Sequence, residues 1–148
     1  MKKYKLLFCS LGLLLPGTGL NCFYLRGLRS FWGWAQLFAF VGGIAGWLIL
    51  KEARFNSAPG WVLITFGFIA IEASWLTTIA YGLRADEKWD AQFNPGIEPS
   101  RATQSGWPVV LTVIFSLVFG AGVMMTFLAI AFEQFFISQL LEARKLSQ

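Results

Sequence analysis

Histidine is absent from this chain, and charge and cysteine are scarce: 14% of the 148 residues are charged and two are cysteines. Each shortage removes a class of chemistry. Without imidazole there is no histidine-ligated haem, no His-based zinc site, and no Ser-His or Cys-His nucleophile. Cys9 and Cys22 both fall within the first apolar hairpin, too few and too poorly placed for a disulfide framework. No carboxylate pair, nucleophile with its base, or phosphate-binding glycine loop stands at a working spacing, so neither an enzyme nor a cofactor is expected. Soluble domains run near a quarter charged. A chain with 56% hydrophobic residues therefore carries more apolar surface than one small core can hide, and lipid is the solvent it calls for. The net charge of +4 is dispersed in short basic clusters between apolar runs. That pattern speaks for membrane topology and against a nucleic-acid partner.

Four apolar stretches are present, against the about 20 residues that a membrane-crossing helix needs. They run over about Leu6–Leu20, Phe31–Leu50, Trp61–Leu83 and Trp107–Phe132. None alternates as a membrane β-strand would. The sequence thus predicts an all-α, integral membrane four-helix protein with a C-terminal amphipathic extension. Residues 1–50 form a first two-helix hairpin, and residues 51–148 a second hairpin with a long outer loop at 84–106. The first stretch is the shortest and meets Pro16-Gly17, which ends or kinks a helix. A cleaved leader ending at Gly17-Thr18-Gly19 and a lipobox at Cys9 are the rival readings of this stretch. Only three apolar residues precede Cys9, and a retained helix is the expectation.

Orientation follows from lysine and arginine in the flanks. With four crossings and the N-terminus inside, Lys2, Lys3, Lys5, Lys51, Arg54, Arg144 and Lys145 are cytoplasmic, against Arg26, Arg29, Arg84, Lys88 and Arg101 outside. Both termini are then expected in the cytoplasm, in a bacterial inner (plasma) membrane. Tryptophans serve as interfacial anchors: Trp32, Trp34, Trp89 and Trp107 outside, Trp47 and Trp61 inside.

The run Pro16-Gly17-Thr18-Gly19-Leu20-Asn21-Cys22-Phe23-Tyr24-Leu25-Arg26-Gly27, followed by Gly33-Trp34-Ala35-Gln36-Leu37, resembles the two-transmembrane (TM-two) domain family over about residues 4–50. Gly17, Gly19, Phe23, Tyr24 and Leu25 carry the likeness, and Gly27 stands for the family's final glycine. Asn21-Cys22 departs from it, since the family carries a polar pair such as His-Arg or Asp-Arg there. The resemblance implies a compact helical hairpin with a tight glycine turn and aromatic rings at headgroup depth.

Several residues stand out as candidate sites. Glu72 lies near the middle of the third stretch, where a carboxylate costs about 2.5 to 3.5 kcal/mol on insertion scales. It must face protein or water, and the polar groups available to it are Gln36, Ser74, Thr77, Thr78, Thr112 and Ser116. The plainer reading is a hydrogen bond across a helix interface; the sharper one is ion or proton translocation. Gly42 with Gly46, and Ser116 with Gly120, are small-xxx-small pairs expected to pack helices. In the outer loop, Trp89 and Phe93 among acidic residues are expected to dock on a partner or lie on the surface. The acidic spacing there is not that of a calcium loop. Phe135 and Phe136 belong to an apolar stripe on the C-terminal extension, placed on the leaflet or on a partner helix. Expected partners are membrane lipids and other membrane protein subunits. The expected role is a non-catalytic accessory or structural subunit of a larger complex, and the alternative a small homo-oligomeric ion or proton channel or transporter using Glu72.

Overall fold

The computed structural model describes residues 2–147, and among these every regular element is helical. In chain order they are α1 (Lys5–Leu14), α2 (Leu20–Arg26), α3 (Phe31–Glu52), α4 (Ala58–Gly82), α5 (Asp86–Phe93), a short 3-10 turn (Pro99–Arg101) and α6 (Trp107–Leu146). Three of them, α3, α4 and α6, are long and apolar enough to cross a membrane. Their starts are written locally. Ser30 and Ser57 cap α3 and α4 by accepting hydrogen bonds from the Gly33 and Gly60 amides, each at 3.3 Å. Pro108 opens α6, where its missing amide proton is harmless.

The expected first span, Leu6–Leu20, is corrected. α1 has ten residues, about 15 Å of helix, or half the hydrocarbon thickness. The chain breaks before Pro16, and α2 runs back the way α1 came. Both open ends of this hairpin meet: the Tyr4 amide donates to the Tyr24 hydroxyl (2.7 Å), and Lys3 Nζ to the Tyr24 carbonyl (2.5 Å). Irregular backbone at membrane depth survives only inside protein, and the tip is held against α4 accordingly. The Gly17 amide donates to Ser74 Oγ (2.9 Å), Asn21 Nδ2 to Thr77 Oγ1 (3.1 Å), and Trp75 Nε1 to the Leu13 carbonyl (3.3 Å). Gly19 sits at φ +72°, where a Cβ would lie 2.3 Å from the Gly33 carbonyl oxygen, so only glycine fits the turn.

The N-terminus lies at the same end of the bundle as the 84–106 segment, not at the opposite end as four crossings require. Lys3 exchanges hydrogen bonds with the Asn94 side chain: its amide donates to Oδ1 (2.6 Å), and its carbonyl accepts from Nδ2 (3.1 Å). Lys2 Nζ reaches the Arg101 carbonyl at 2.7 Å. At the other end of the bundle, the turn after α3 lies beside Ala131–Ser138 of α6.

α3 and α4 pack as an antiparallel pair whose backbones touch. A Cβ on Gly43 would lie 2.5 Å from the Gly67 Cα, and one on Gly46 would lie 2.6 Å from the Ile64 amide nitrogen. Gly46 belongs to the expected small-residue pair, but Gly42 meets only Leu63, at 3.7 Å. The contact register thus runs through Gly43. α3 ends in a Schellman cap, with the Phe55 amide bonded to the Leu50 carbonyl (2.8 Å) and Arg54 in the left-handed region at φ 49°.

Candidate functional site

α5 caps the open end of the hairpin. It places Trp89 under a cluster of Phe8, Cys9 and Val109, with Tyr24, Leu25, Tyr81 and Phe93 packed around it. Trp89 is fully buried, its ring 5.7 Å from Phe8 and 4.6 Å from Phe93. Trp89 and Phe93, the residues expected to dock on a partner or lie on the surface, pack instead against this chain's own hairpin, Trp89 fully buried and Phe93 half-buried. Asp86 and Asp90, one turn apart, clamp the returning segment. Asp90 accepts from the Thr103 amide and hydroxyl (both 2.6 Å) and from Asn94 Nδ2 (2.7 Å). Asp86 accepts from the Ser105 amide (2.6 Å) and hydroxyl, and pairs with the buried Lys5 at 2.9 Å. Burial opposes ionisation of both carboxyls. The bonds from Ser105 and Lys5 to Asp86, and from Thr103 and Asn94 to Asp90, outweigh it and hold both below the usual aspartate value.

Below this cap, α1, α4 and α6 meet along a seam lined with small polar groups. Moving inward from the Lys5–Asp86 pair, Cys9 Sγ lies 3.9 Å from the Thr78 carbonyl oxygen, beside the Gly82–Val113 contact. Thr78, Thr112, Ser74 and Ser116 follow, all buried. The Thr78 and Thr112 hydroxyls donate to carbonyls of their own helices, Ser74 (2.9 Å) and Val109 (2.7 Å), as membrane hydroxyls do.

The seam reaches Glu72. It is ten residues from the end of α4, about 15 Å along the axis and so near the middle of that helix. Glu72 faces α6 at Gly120, where a Cβ would lie 3.2 Å from Glu72 Oε2 and 3.5 Å from the Trp75 ring. A side chain at 120 would crowd the carboxylate. Ser116 lies one turn from Gly120 on the same buried stripe. Glu72 Oε1 and Ser116 Oγ are both buried and meet no hydrogen-bond partner among the described residues. Beyond Glu72 the interface turns apolar: Phe68 and Phe127 stack with centroids 4.2 Å apart at 6°.

The other candidates are placed elsewhere. Gln36 is half-buried on α3, its Oε1 3.7 Å from Cys22 Sγ, and lines a cavity of about 260 Å³ with Arg26, Ser30 and Thr77. It is not brought to Glu72. Gly17 and Gly19 form the hairpin turn, whereas Phe23, Tyr24 and Leu25 belong to α2. Phe23 packs under Gly33 and edge-on to Trp34 at 5.4 Å. Phe135 and Phe136 are exposed on α6. Among the described residues, no three His, Cys, Asp or Glu side chains converge to hold a metal. Sequence reasoning missed the Lys5–Asp86 pair, the Asp86/Asp90 clamp and the Phe68–Phe127 stack. Only the clamp left a local trace, two aspartates at i, i+4 spacing.

The chain matches no protein-family model, no curated protein and no solved structure.

Proposed function

We propose that this protein is a non-catalytic integral membrane subunit that serves a larger membrane complex in an accessory or structural role. The observation that carries this reading is α6. Its 40 unbroken residues make a rod of about 60 Å, whereas a bilayer with its headgroups spans about 40 to 45 Å. Residues up to Ser138 still lie beside the turn after α3. The last two turns continue past it with Leu140, Leu141 and Leu146 exposed. An unbroken continuation of a spanning helix leaves the membrane rather than lying on it, so this apolar end is better served by a protein partner than by lipid.

Charge sets the orientation of this reading. With three crossings and the α1–α2 hairpin dipping in from one side, the N-terminal face carries Lys2, Lys3, Lys5, Arg26, Arg29, Arg84, Lys88 and Arg101, and the opposite face only Lys51, Arg54, Arg144 and Lys145. The positive-inside rule then places the N-terminus and the 84–106 loop in the cytoplasm of a bacterial inner membrane, and the C-terminal end of α6 outside. The expectation of two cytoplasmic termini belongs to the count of four crossings.

Purification in mild detergent with native mass measurement tests the reading. The expected product is a hetero-complex that loses its partner when residues 139–148 are removed. A homo-oligomer alone sinks the subunit reading and favours the alternative, a small ion or proton pore using Glu72. That second reading draws on one observation, the unpartnered Glu72 and Ser116 oxygens near the middle of α4.

A further inference from the structure

We propose that Glu72, together with Ser116, is a proton-binding site in the membrane interior that exchanges with the N-terminal face alone. The site deepens the Glu72 reading but lies within one chain, so it stands whether the protein works as a subunit or as a homo-oligomer.

Three observations converge on it. First, Glu72 Oε1 and Ser116 Oγ are buried without a partner in the same helix interface, among residues otherwise satisfied. A carboxylate in that position carries an uncompensated desolvation cost, which a bound proton removes. Second, among the described residues the buried small polar side chains beside Glu72 run toward one end of the bundle. Ser116, Ser74, Thr112, Thr78 and Cys9 line the seam between α1, α4 and α6 up to the Lys5–Asp86 pair. Third, the other side is shut by the Phe68–Phe127 stack directly beyond Glu72. The groove past it, about 440 Å³, is walled mainly by apolar residues such as Ile64, Ile71, Val123 and Ile130, and its Thr126 hydroxyl is turned to the Gly122 carbonyl of its own helix.

Among the described residues, the groups that meet at Glu72 are Trp75 from its own helix and Gly120 from α6, with Ser116 one turn away on α6, none of them charged. The titratable groups on the seam are Cys9 and the Lys5–Asp86 pair at its mouth. The exchange is an acid–base step only. Hydronium gives a proton to a Glu72 oxygen, an O–H bond forms, and water leaves toward the N-terminal face; the reverse returns it.

A hydrophobic carbodiimide reads this site, because it reacts only with a protonated carboxyl away from water. The carboxyl proton moves to a carbodiimide nitrogen and the carboxylate oxygen bonds to the central carbon. Acyl transfer to nitrogen then leaves a stable N-acylurea that mass spectrometry locates. The full chain is reconstituted in phosphatidylcholine vesicles of uniform orientation, selected through a C-terminal tag. Labelling is expected at Glu72 and lost in Glu72→Gln. It should fall about tenfold per unit as the pH on the N-terminal face rises past the site's midpoint, as one titrating group requires. A pH step on the C-terminal face should leave it unchanged. Phe68→Ala, which keeps Glu72 and Ser116, should make labelling answer to both faces, and Ser116→Ala should move the midpoint. No labelling of the folded protein, or labelling governed by the C-terminal face, overturns the proposal. Suppression by sodium at fixed pH overturns it in favour of a metal cation.

Discussion

α4 holds two neighbours by different means. Against α3 it presents Gly60 and Gly67, and the backbones come together with almost nothing between them. Against the α1–α2 hairpin it presents Ser74, Trp75 and Thr77, and the contact is made by hydrogen bonds to irregular backbone. Lipid supplies no hydrophobic drive for either association. The first contact works because two long, internally satisfied helices gain dispersion energy by close approach. The second works because a broken helix must find partners for exposed amides, and only α4 offers them at that depth. A polar stripe inside a membrane helix is thus a statement about its neighbour's backbone.

The contrast can be broken from either side. The largest effect is expected for Gly67→Val, whose side chain would meet the Gly43 backbone inside 3 Å. It should cost about 3 kcal/mol or more by overpacking. Thermal unfolding in detergent should show α3 and α4 separating together, and an unchanged midpoint would refute the glycine contact. Next is Lys5→Met, which keeps the side-chain volume and leaves Asp86 unpaired. The Asp86 side chain is 27% exposed, so solvent screening brings the loss below the usual buried-pair value, to about 2 to 3 kcal/mol. It should free the N-terminus to protease while sparing the α3–α4 pair. Ser74→Ala removes the acceptor for the Gly17 amide and should cost about 1 to 3 kcal/mol, read as faster amide exchange in residues 15–19.

Acid should separate the two regions without mutation. Asp86 and Asp90 titrate lower in the folded chain than their ordinary value of 3.8. Their contribution is therefore complete above that value and is lost as pH falls below it toward the folded values. Trp89 emission should shift red in that window in the parent chain, and Asp90→Asn should show the shift already at neutral pH. The α3–α4 pair has no titrating group in its contact and should not respond. The smallest effect is a gain: Arg54→Gly relieves a left-handed residue in the α3 cap and should add up to about 1 kcal/mol.

The long helices were legible because hydropathy reports length and composition, and α3, α4 and α6 have both. The apolar stripe of α6 was legible for the same reason. The first stretch was misread because its hydropathy says nothing of where its ends must go. Lys3 and Lys5 find Asn94 and Asp86, 91 and 81 residues on, and no local pattern announces a pairing at that distance. Trp89 and Phe93 read as surface because acidic residues flank them; burial came from Phe8 and Tyr81 on other elements. Gly42 and Gly43 stand four and three residues before Gly46, both on the same side of a helix, and only the packed partner chooses between them. Glu72 was legible from the cost of its position, but Phe68 and Phe127, which give its surroundings a direction, look like any apolar residue.

The clasp between Lys5 and the start of α5 also has a meaning in time. Residues 2 to 5 are completed by residues 84 to 105, which are synthesised later, so the α1–α2 hairpin cannot settle until α4 is in place and its following loop has been made. The α1–α2 hairpin is thereby assembled after the helices that follow it, and a chain truncated before Asp86 should hold α3 and α4 paired with Lys5 still open to amine-reactive reagents.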